Sequence, residues 1–127
     1  LSIRRESSFS DSRFDFYIEG KTTKAYLEVK GVTLEDKGIA RFPDAPTMRG
    51  IKHLKGLEAA VSKGFLAYVM FLTQMKGIRV FEPNDLTHKA FGDALRHAAG
   101  RGVRPLAWDC AVEVDSLRIG EPLEIRL

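Results

Sequence analysis

Hydrophobic and polar residues alternate in two consecutive segments near the start of the chain. Residues 13–19 place Phe and Ile at every second position, which is the period of a half-buried strand. Residues 20–23 (GKTT) have the composition of a turn, and residues 24–34 (KAYLEVKGVTL) alternate again, with a bend expected at Gly31. The pattern predicts two strands joined as an antiparallel hairpin.

A helical pattern follows the hairpin and a predicted loop over residues 35–46. Thr47 is suited to cap a helix from about Met48 to Lys63, and Gly64 is suited to end it. The apolar stripe of this helix recurs every three or four residues, at Ile51, Leu54, Leu57 and Val61.

The second half of the chain combines apolar runs with one more helix. The run FLAYVMFLTQ suits a central strand that is covered on both faces, and GIRVFEP suits a shorter strand. A second helix is predicted from about Leu86 to Ala99, with Asn84 or Asp85 as its cap and Gly100 as its end. Two late strands complete the order β-β-α-β-(β)-α-β-β. This order predicts the α/β (α+β) class, with a mixed central sheet flanked by helices.

The turn fixes the register of the first hairpin. A loop of two residues or of four residues gives the same pairing, because both are centred between Lys21 and Thr22. The opposed pairs are Glu19 with Lys24, Tyr17 with Tyr26, and Asp15 with Glu28. The other side of the hairpin is the predicted core face, and it carries Phe14, Phe16, Ile18, Ala25, Leu27 and Val29.

Two carboxylates therefore face each other across the hairpin. Asp15 and Glu28 are expected to have their Cβ atoms about 4.5–5.5 Å apart, where like charges repel unless a cation lies between them. Lys30 follows on the same face, with Arg13 as its expected cross-strand partner. A hard divalent ion such as Mg²⁺ would suit the two carboxylates. The alternative is a solvated strand face with mixed charges, and the pattern alone favours this alternative.

Composition narrows the class of protein without assigning an activity. The chain has 127 residues, of which 44% are hydrophobic and 29% charged, and this suits one globular domain over residues 1–127. No apolar run approaches the roughly 20 residues of a membrane span. The single cysteine, Cys110, excludes an internal disulfide and fits a cytoplasmic location. The formal net charge of +3 permits, without requiring, a polyanionic partner.

Three motifs resemble one known family. The segments SRFDF (12–16), LEVKGVTL (27–34) and FPDAPTMRGIKHLKGL (42–57) are together similar to the sugar fermentation stimulation protein A family. The resemblance corresponds to the C-terminal domain of the family, which resembles the PD-(D/E)xK nuclease fold. The N-terminal OB-like domain of the family is expected to be absent from this chain, which starts at Leu1 rather than at Met.

The resemblance implies a site and two alternative functions. It assigns catalytic roles to Asp15, Glu28 and Lys30, and it implies that Asp15, Glu28 and Glu6 bind Mg²⁺ or Mn²⁺. Phe14 replaces the proline of the motif. The family is described as DNA-binding, with a proposed regulatory role in maltose metabolism. The alternative is an active Mg²⁺-dependent nuclease that hydrolyses DNA or RNA. The oligomeric state stays open, with a homodimer among the alternatives.

The loop before the first helix is a second candidate region. Asp44, Thr47 and Arg49 lie at a helix N-terminus, which suits an anion or a phosphate group. Their structural alternative is a loop hydrogen bond, an N-cap and a solvated charge, and the resemblance favours the binding role. Arg13 and His53 complete the predicted phosphate-binding set, although His53 is expected on the less apolar side of the helix. Sequence-independent contacts with DNA phosphates are the expected form of binding. His88 and His97 are predicted on the surface, and Trp108 and Cys110 in the core.

Overall fold

The structure, a computed structural model, describes the backbone of residues 1–113 and 116–127 and the side chains of residues 1–110 and 120–127. It contains two helices, α1 (Met48–Ser62) and α2 (Asp85–Gly100). The strands are β1 (Ser2–Phe9), β2 (Ser12–Glu19), β3 (Lys24–Val32), β4 (Leu34–Asp36), β5 (Ile39–Phe42), β6 (Leu66–Thr73), β7 (Val80–Pro83), β8 (Arg104–Glu113), β9 (Ser116–Pro122) and β10 (Glu124–Ile125).

The strands form two sheets. The larger sheet has the order β1-β2-β3-β6-β8-β9, with β3, β6 and β8 parallel at its centre and antiparallel strands outside them. The smaller sheet has the order β10-β7-β5-β4. Phe71 of β6 stacks on Phe81 of β7, with ring centroids 4.1 Å apart, and this contact joins the two sheets. The predicted mixed sheet with flanking helices is confirmed.

Three short or exposed strands were not predicted. The predicted loop over residues 35–46 contains β4 and β5, which have only three and four residues. Strands of this length show too few alternations to stand out from a loop. The strand β1 is also new, and most of its side chains are exposed, so it carries no hydrophobic period. Within the described residues, neither helix is both long enough and apolar enough to cross a membrane.

Helix α1 matches its prediction closely. The hydroxyl of Thr47 accepts a hydrogen bond from the backbone N–H of Gly50 at 2.9 Å, as expected of an N-cap. The stripe residues Ile51, Leu54 and Leu57 are buried, and each contributes about 1.5–3 kcal/mol through the hydrophobic effect. The stripe therefore holds α1 against the larger sheet, where the helix packs on β6, β2 and β3.

The register of the hairpin is confirmed, but its predicted core face is correct only for Phe14 and Ala25, which are buried. Tyr17 pairs with Tyr26 and Glu19 with Lys24, as the turn requires. The side chains of Tyr17 and Tyr26 are nevertheless buried, whereas the predicted core residues Phe16 and Leu27 are only half-buried. The reason is tertiary, because α1 packs on the face that carries Tyr26 and the charged residues of β3.

The alternation of β2 is broken at Asp15. Phe14 and Tyr17 are an odd number of positions apart, yet both rings contact Tyr26, with centroids at 5.3 and 5.0 Å. The ladder between β1 and β2 also omits Glu6 and Asp15, although the pairs on either side of them are present. Glu6 has a φ of 50°, in the left-handed region that side chains other than glycine seldom adopt. Such local backbone irregularity often accompanies functional sites.

Candidate metal and phosphate site

The side chains of Asp15 and Glu28 lie close together, and each accepts a hydrogen bond from the backbone of the opposite strand. The backbone N–H of Asp15 donates to Oε1 of Glu28 at 3.2 Å, and the backbone N–H of Val29 donates to Oδ2 of Asp15 at 2.7 Å. The β2–β3 ladder ends just before this pair, at Phe16 and Leu27, so the side chains replace backbone partners there. The two acids are thus neighbours, as predicted, although they are joined by side chain–backbone hydrogen bonds and the ladder does not include them as a backbone pair.

Lys30 and His53 converge on the carboxylate of Glu28. The Nζ atom of Lys30 lies 3.0 Å from Oε2 of Glu28, and Nδ1 of His53 lies 2.8 Å from the same oxygen. The Lys30 Nζ and His53 Nδ1 atoms are themselves 2.8 Å apart. All three side chains are largely buried between β3 and α1, with exposed fractions of 14% or less. The three groups therefore form a compact polar cluster inside an otherwise apolar interface.

Burial shifts the protonation of this cluster. Desolvation raises the pKa of Glu28, and the neighbouring ammonium of Lys30 opposes that rise. Desolvation, reinforced by the charge of Lys30, lowers the pKa of His53 to about 4. His53 is consequently a neutral imidazole near pH 7. Its Nδ1 can donate to Glu28 in one tautomer or accept from Lys30 in the other, but it cannot do both at once.

His53 is the residue that the sequence placed least accurately. The prediction put it on the less apolar side of the helix, but it is buried in α1 between Ile51 and Leu57. A signal was available, since position 53 is one turn before Leu57 and belongs to the buried arc of the helix. The sequence did not indicate that charged residues of β3 would be buried, so it suggested no hydrogen-bond partner for a histidine on the buried side of α1.

The remaining predicted residues are distributed around this cluster. Glu6 lies on β1 at the register position opposite Asp15, and it is exposed to solvent. In the described part of the chain, no group of three or more His, Cys, Asp or Glu side chains is arranged to hold a metal ion. Arg13 is exposed and lies beyond the end of the β2–β3 ladder, which stops at Phe16 and Leu27, so the expected cross-strand pairing with Lys30 is not formed.

The loop before α1 serves first as a structural element. The hydroxyl of Thr47 is used for the N-cap, and the backbone N–H of Thr47 donates to Nδ1 of His88 at 3.1 Å. His88 is half-buried rather than a free surface residue, and it departs from helical geometry inside α2. Asp44 and Arg49 are exposed, and the charge of Arg49 contributes to the lowered pKa of His53. Arg49 is therefore electrostatically close to the site.

Three further predictions concern His97 as a surface residue and Cys110 and Trp108 as core residues. His97 is exposed and lies 3.0 Å, through Nδ1, from Oε1 of Glu58. Cys110 is buried and its thiol donates to the backbone carbonyl of Thr73, which confirms its core position. Trp108 is half-buried.

Comparison with known proteins identifies the family. A family model described as the sugar fermentation stimulation protein RE domain matches residues 1–116. The chain belongs to the sugar fermentation stimulation protein family. A homolog from Desulfitobacterium hafniense (strain Y51) is 54% identical over 125 residues, which cover 98% of this chain and 55% of that protein. A homolog from Clostridium beijerinckii is 50% identical over the same coverage. The chain thus spans about half the length of these curated relatives.

A solved structure of the family confirms the fold. Pyrococcus furiosus SfsA, determined in complex with Ca²⁺, superposes with a TM-score of 0.89 at 25% sequence identity. The match covers 98% of this chain and 54% of the archaeal protein. The fold of this family member is therefore shared across a large sequence distance.

Proposed function

We propose that this member of the family binds a divalent cation and hydrolyses phosphodiester bonds in nucleic acid. The observation that carries the proposal is the facing pair Asp15 and Glu28, with Lys30 bonded to Glu28. A buried acid, Glu28, next to the half-buried acid Asp15 is costly in an interface that is otherwise apolar, and catalysis gives this arrangement a purpose. The Ca²⁺ complex of the Pyrococcus furiosus relative supports the cation part of the proposal.

The residues present fit Mg²⁺ or Mn²⁺ better than an ion that needs a complete protein cage. Mg²⁺ commonly takes one or two carboxylates and keeps several waters, and two carboxylates are what Asp15 and Glu28 offer. When bound, the ion would polarise a phosphodiester and lower the pKa of a water. Glu6 stays a predicted additional ligand, since its backbone position is opposite Asp15.

Lys30 and His53 have complementary tasks in this proposal. The ammonium of Lys30 has three N–H donors, of which Glu28 and His53 can take two. The third is left to orient a water or to stabilise negative charge on a phosphate oxygen. His53 acts as a positioning residue, because an accepting Nδ1 keeps Lys30 in place when a cation occupies the Glu28 carboxylate.

A specific observation favours a second function, a nucleic-acid-binding protein without turnover. Lys30 and His53 already satisfy Glu28, and no buried side-chain N or O atom among the described residues lacks a hydrogen-bond partner. A site that is complete in this way can persist for structural reasons alone. In this second case the protein would bind DNA and act in regulation, including the regulation of maltose metabolism, without cleaving its partner.

The decisive experiment separates cation binding from cleavage. Mg²⁺ at a hundredfold excess over its Kd should stabilise the protein by about 2.7 kcal/mol, read as a rise in Tm. Asp15→Asn and Glu28→Gln should each abolish this rise, whereas Asp36→Asn, which alters an exposed carboxylate of β4, should retain it. An unchanged Tm of the parent protein in Mg²⁺ and Mn²⁺ would remove the cation from the proposal.

Cleavage is then measured on DNA and RNA of mixed sequence and strandedness in Mn²⁺. The parent should cleave at least one substrate, and Lys30→Ala should retain the Tm rise but lose cleavage. If the parent shows the Tm rise and binds nucleic acid but cleaves none of these substrates, the second function is the correct one.

A further inference from the structure

The exposed side of α1 carries only positive charge. Its basic residues lie on roughly one third of the helix circumference, and the neutral residues among them include Ala59 and Ser62. All four basic residues are exposed, and they are Arg49, Lys52, Lys55 and the C-cap residue Lys63. The only acidic residue of the helix, Glu58, is half-buried and faces His97. This set of four is called the α1 basic strip below.

Within the part of the chain that the structure describes, no acidic side chain forms an ion pair with any member of the α1 basic strip. On α2, by contrast, Lys89 pairs with Asp93 and Arg96 pairs with Asp85. Arg49 does not serve the helix dipole either. The first turn of α1 has no acid, and a positive charge there is unfavourable by about 0.3–1 kcal/mol, whereas Lys63 at the C-cap is placed favourably. An exposed positive charge at the N-terminus of α1, continued by three further cations, is an arrangement that an external anion would stabilise.

The strip begins at the site described above. Arg49 is one helical turn before His53, and Lys52 is its immediate neighbour. The charges of Arg49 and Lys52 both contribute to the lowered pKa of His53, as expected of cations close to that ring. The other end of the strip, at Lys63, is about 21 Å away along the helix axis, which corresponds to about six nucleotide steps of B-form DNA.

We propose that the α1 basic strip binds the sugar–phosphate backbone of a nucleic acid and directs it to the cluster of Asp15, Glu28 and Lys30. The inference rests on the proposed function and adds the surface by which the partner is held. A nucleic acid is favoured over an anionic membrane because the strip is narrow and leads into a site suited to phosphodiesters. The contacts are electrostatic, so they are sensitive to salt and indifferent to sequence.

The test measures binding without cleavage. Binding of the protein to a labelled 20-base-pair DNA and to its single strand is followed by fluorescence anisotropy in EDTA, from about 0.05 to 0.3 M salt. The variant Lys52→Gln/Lys55→Gln removes two strip charges. The matched control Lys37→Gln/Lys76→Gln removes two exposed lysines elsewhere, with the same change in net charge. Glutamine is uncharged and close to lysine in helix propensity, and circular dichroism verifies the fold.

The expected result is a change in salt dependence. Each lost phosphate contact lowers the slope of log Kd against log salt concentration by about 0.9, so the strip variant should lose about 1.8. If the affinities converge near 1 M salt, this slope corresponds to a roughly 60-fold weaker Kd at 0.1 M. The control should keep the parent slope. Equal effects of the two double variants on the slope would overturn the inference. A parent protein that binds neither the duplex nor the single strand would also overturn it, as would a parent protein that binds only anionic lipid vesicles.

One further variant distinguishes this inference from the proposed function. Glu28→Gln should lose the Tm rise in Mg²⁺ but keep DNA binding in EDTA, since it leaves the strip intact. If the protein binds the cation and cleaves nucleic acid but its two double variants have the same salt dependence, the role of the strip is refuted and the proposed function stands. If only the strip variant loses salt dependence and the parent protein binds no cation, the proposed function is refuted and the role of the strip stands.

Discussion

His53 offers the sharpest test of how the buried cluster works. Its Nδ1 atom lies 2.8 Å from both Glu28 Oε2 and Lys30 Nζ. Replacing His53 by alanine removes a hydrogen bond to a charged group, worth about 1.5–3 kcal/mol, and leaves space beside Glu28. We therefore expect His53→Ala to lower the free energy of unfolding by about 3 kcal/mol near pH 7.

The contacting atom determines which substitution restores stability. Nδ1 is attached to Cγ, which is also where asparagine carries its amide oxygen and nitrogen, whereas Nε2 corresponds to the longer glutamine. His53→Asn should therefore recover more of the lost stability than His53→Gln. Both variants keep a donor and an acceptor, so their difference reports position rather than polarity.

The lowered pKa of His53 adds a dependence on pH with a definite sign. Because the folded pKa of about 4 is below the ordinary value of 6.5, the unfolded chain binds more protons between these values. The contribution of His53 to stability is complete above pH 6.5 and is lost as the pH falls towards 4. It amounts to roughly 2–3 kcal/mol between pH 7.5 and 4.5. The raised pKa of Glu28 acts in the opposite direction, so the comparison must be with His53→Asn rather than with the parent alone.

The assay is urea unfolding in EDTA at pH 7.5, 6.5, 5.5 and 4.5. The difference in unfolding free energy between the parent and His53→Asn should shrink or reverse as the pH falls. A difference that stays constant over this range would refute a neutral, buried His53. Equal rescue by asparagine and glutamine would refute the contact through Nδ1.

Two further predictions concern the elements that position the cluster. Gly56→Ala should lower the Tm, because the added Cβ would collide with the Ser12 side chain and lie 3.0 Å from Cζ of Phe14. Gly100→Ala is the control, since its Cβ meets nothing within 4 Å, and it should raise the Tm or leave it unchanged. His88→Ala should lower the free energy of unfolding in urea by about 1 kcal/mol and increase hydrogen exchange of the Thr47 amide, which loses its acceptor. Unaltered exchange of this amide would contradict the hydrogen bond to His88.

The charged pair of the site could be predicted from the sequence because local rules suffice for it. The turn and the period of two set Asp15 opposite Glu28 without reference to the rest of the fold. The cap at Thr47 and the stripe of Leu54 and Leu57 are local in the same sense. The predicted catalytic role of Lys30 came from the resemblance to the family, because the pattern alone favoured a solvated strand face.

Burial could not be predicted in this way. One face of β3 carries Leu27 and Val29 and the other carries Glu28 and Lys30, so the alternation favoured the apolar face as the core. Glu28 is nevertheless buried, whereas Leu27 and Val29 are half-buried. The strand β3 has β6 beside it and α1 above it, and these neighbours come from residues far along the chain. The break at Asp15 likewise depends on β1, whose exposed residues give no hydrophobic signal.

The sequence by itself thus determined the two helices, the longer strands with an apolar pattern, the hairpin register, the cap of α1 and the identity of the acid pair, because each depends on residues close together in the chain. Only the tertiary structure decided that α1 covers the charged face of β3, which buries Glu28 and brings His53 to Lys30. The physical reason is that packing selects a face through long-range contacts, and a charge on that face acquires its chemistry from the partners that enclose it.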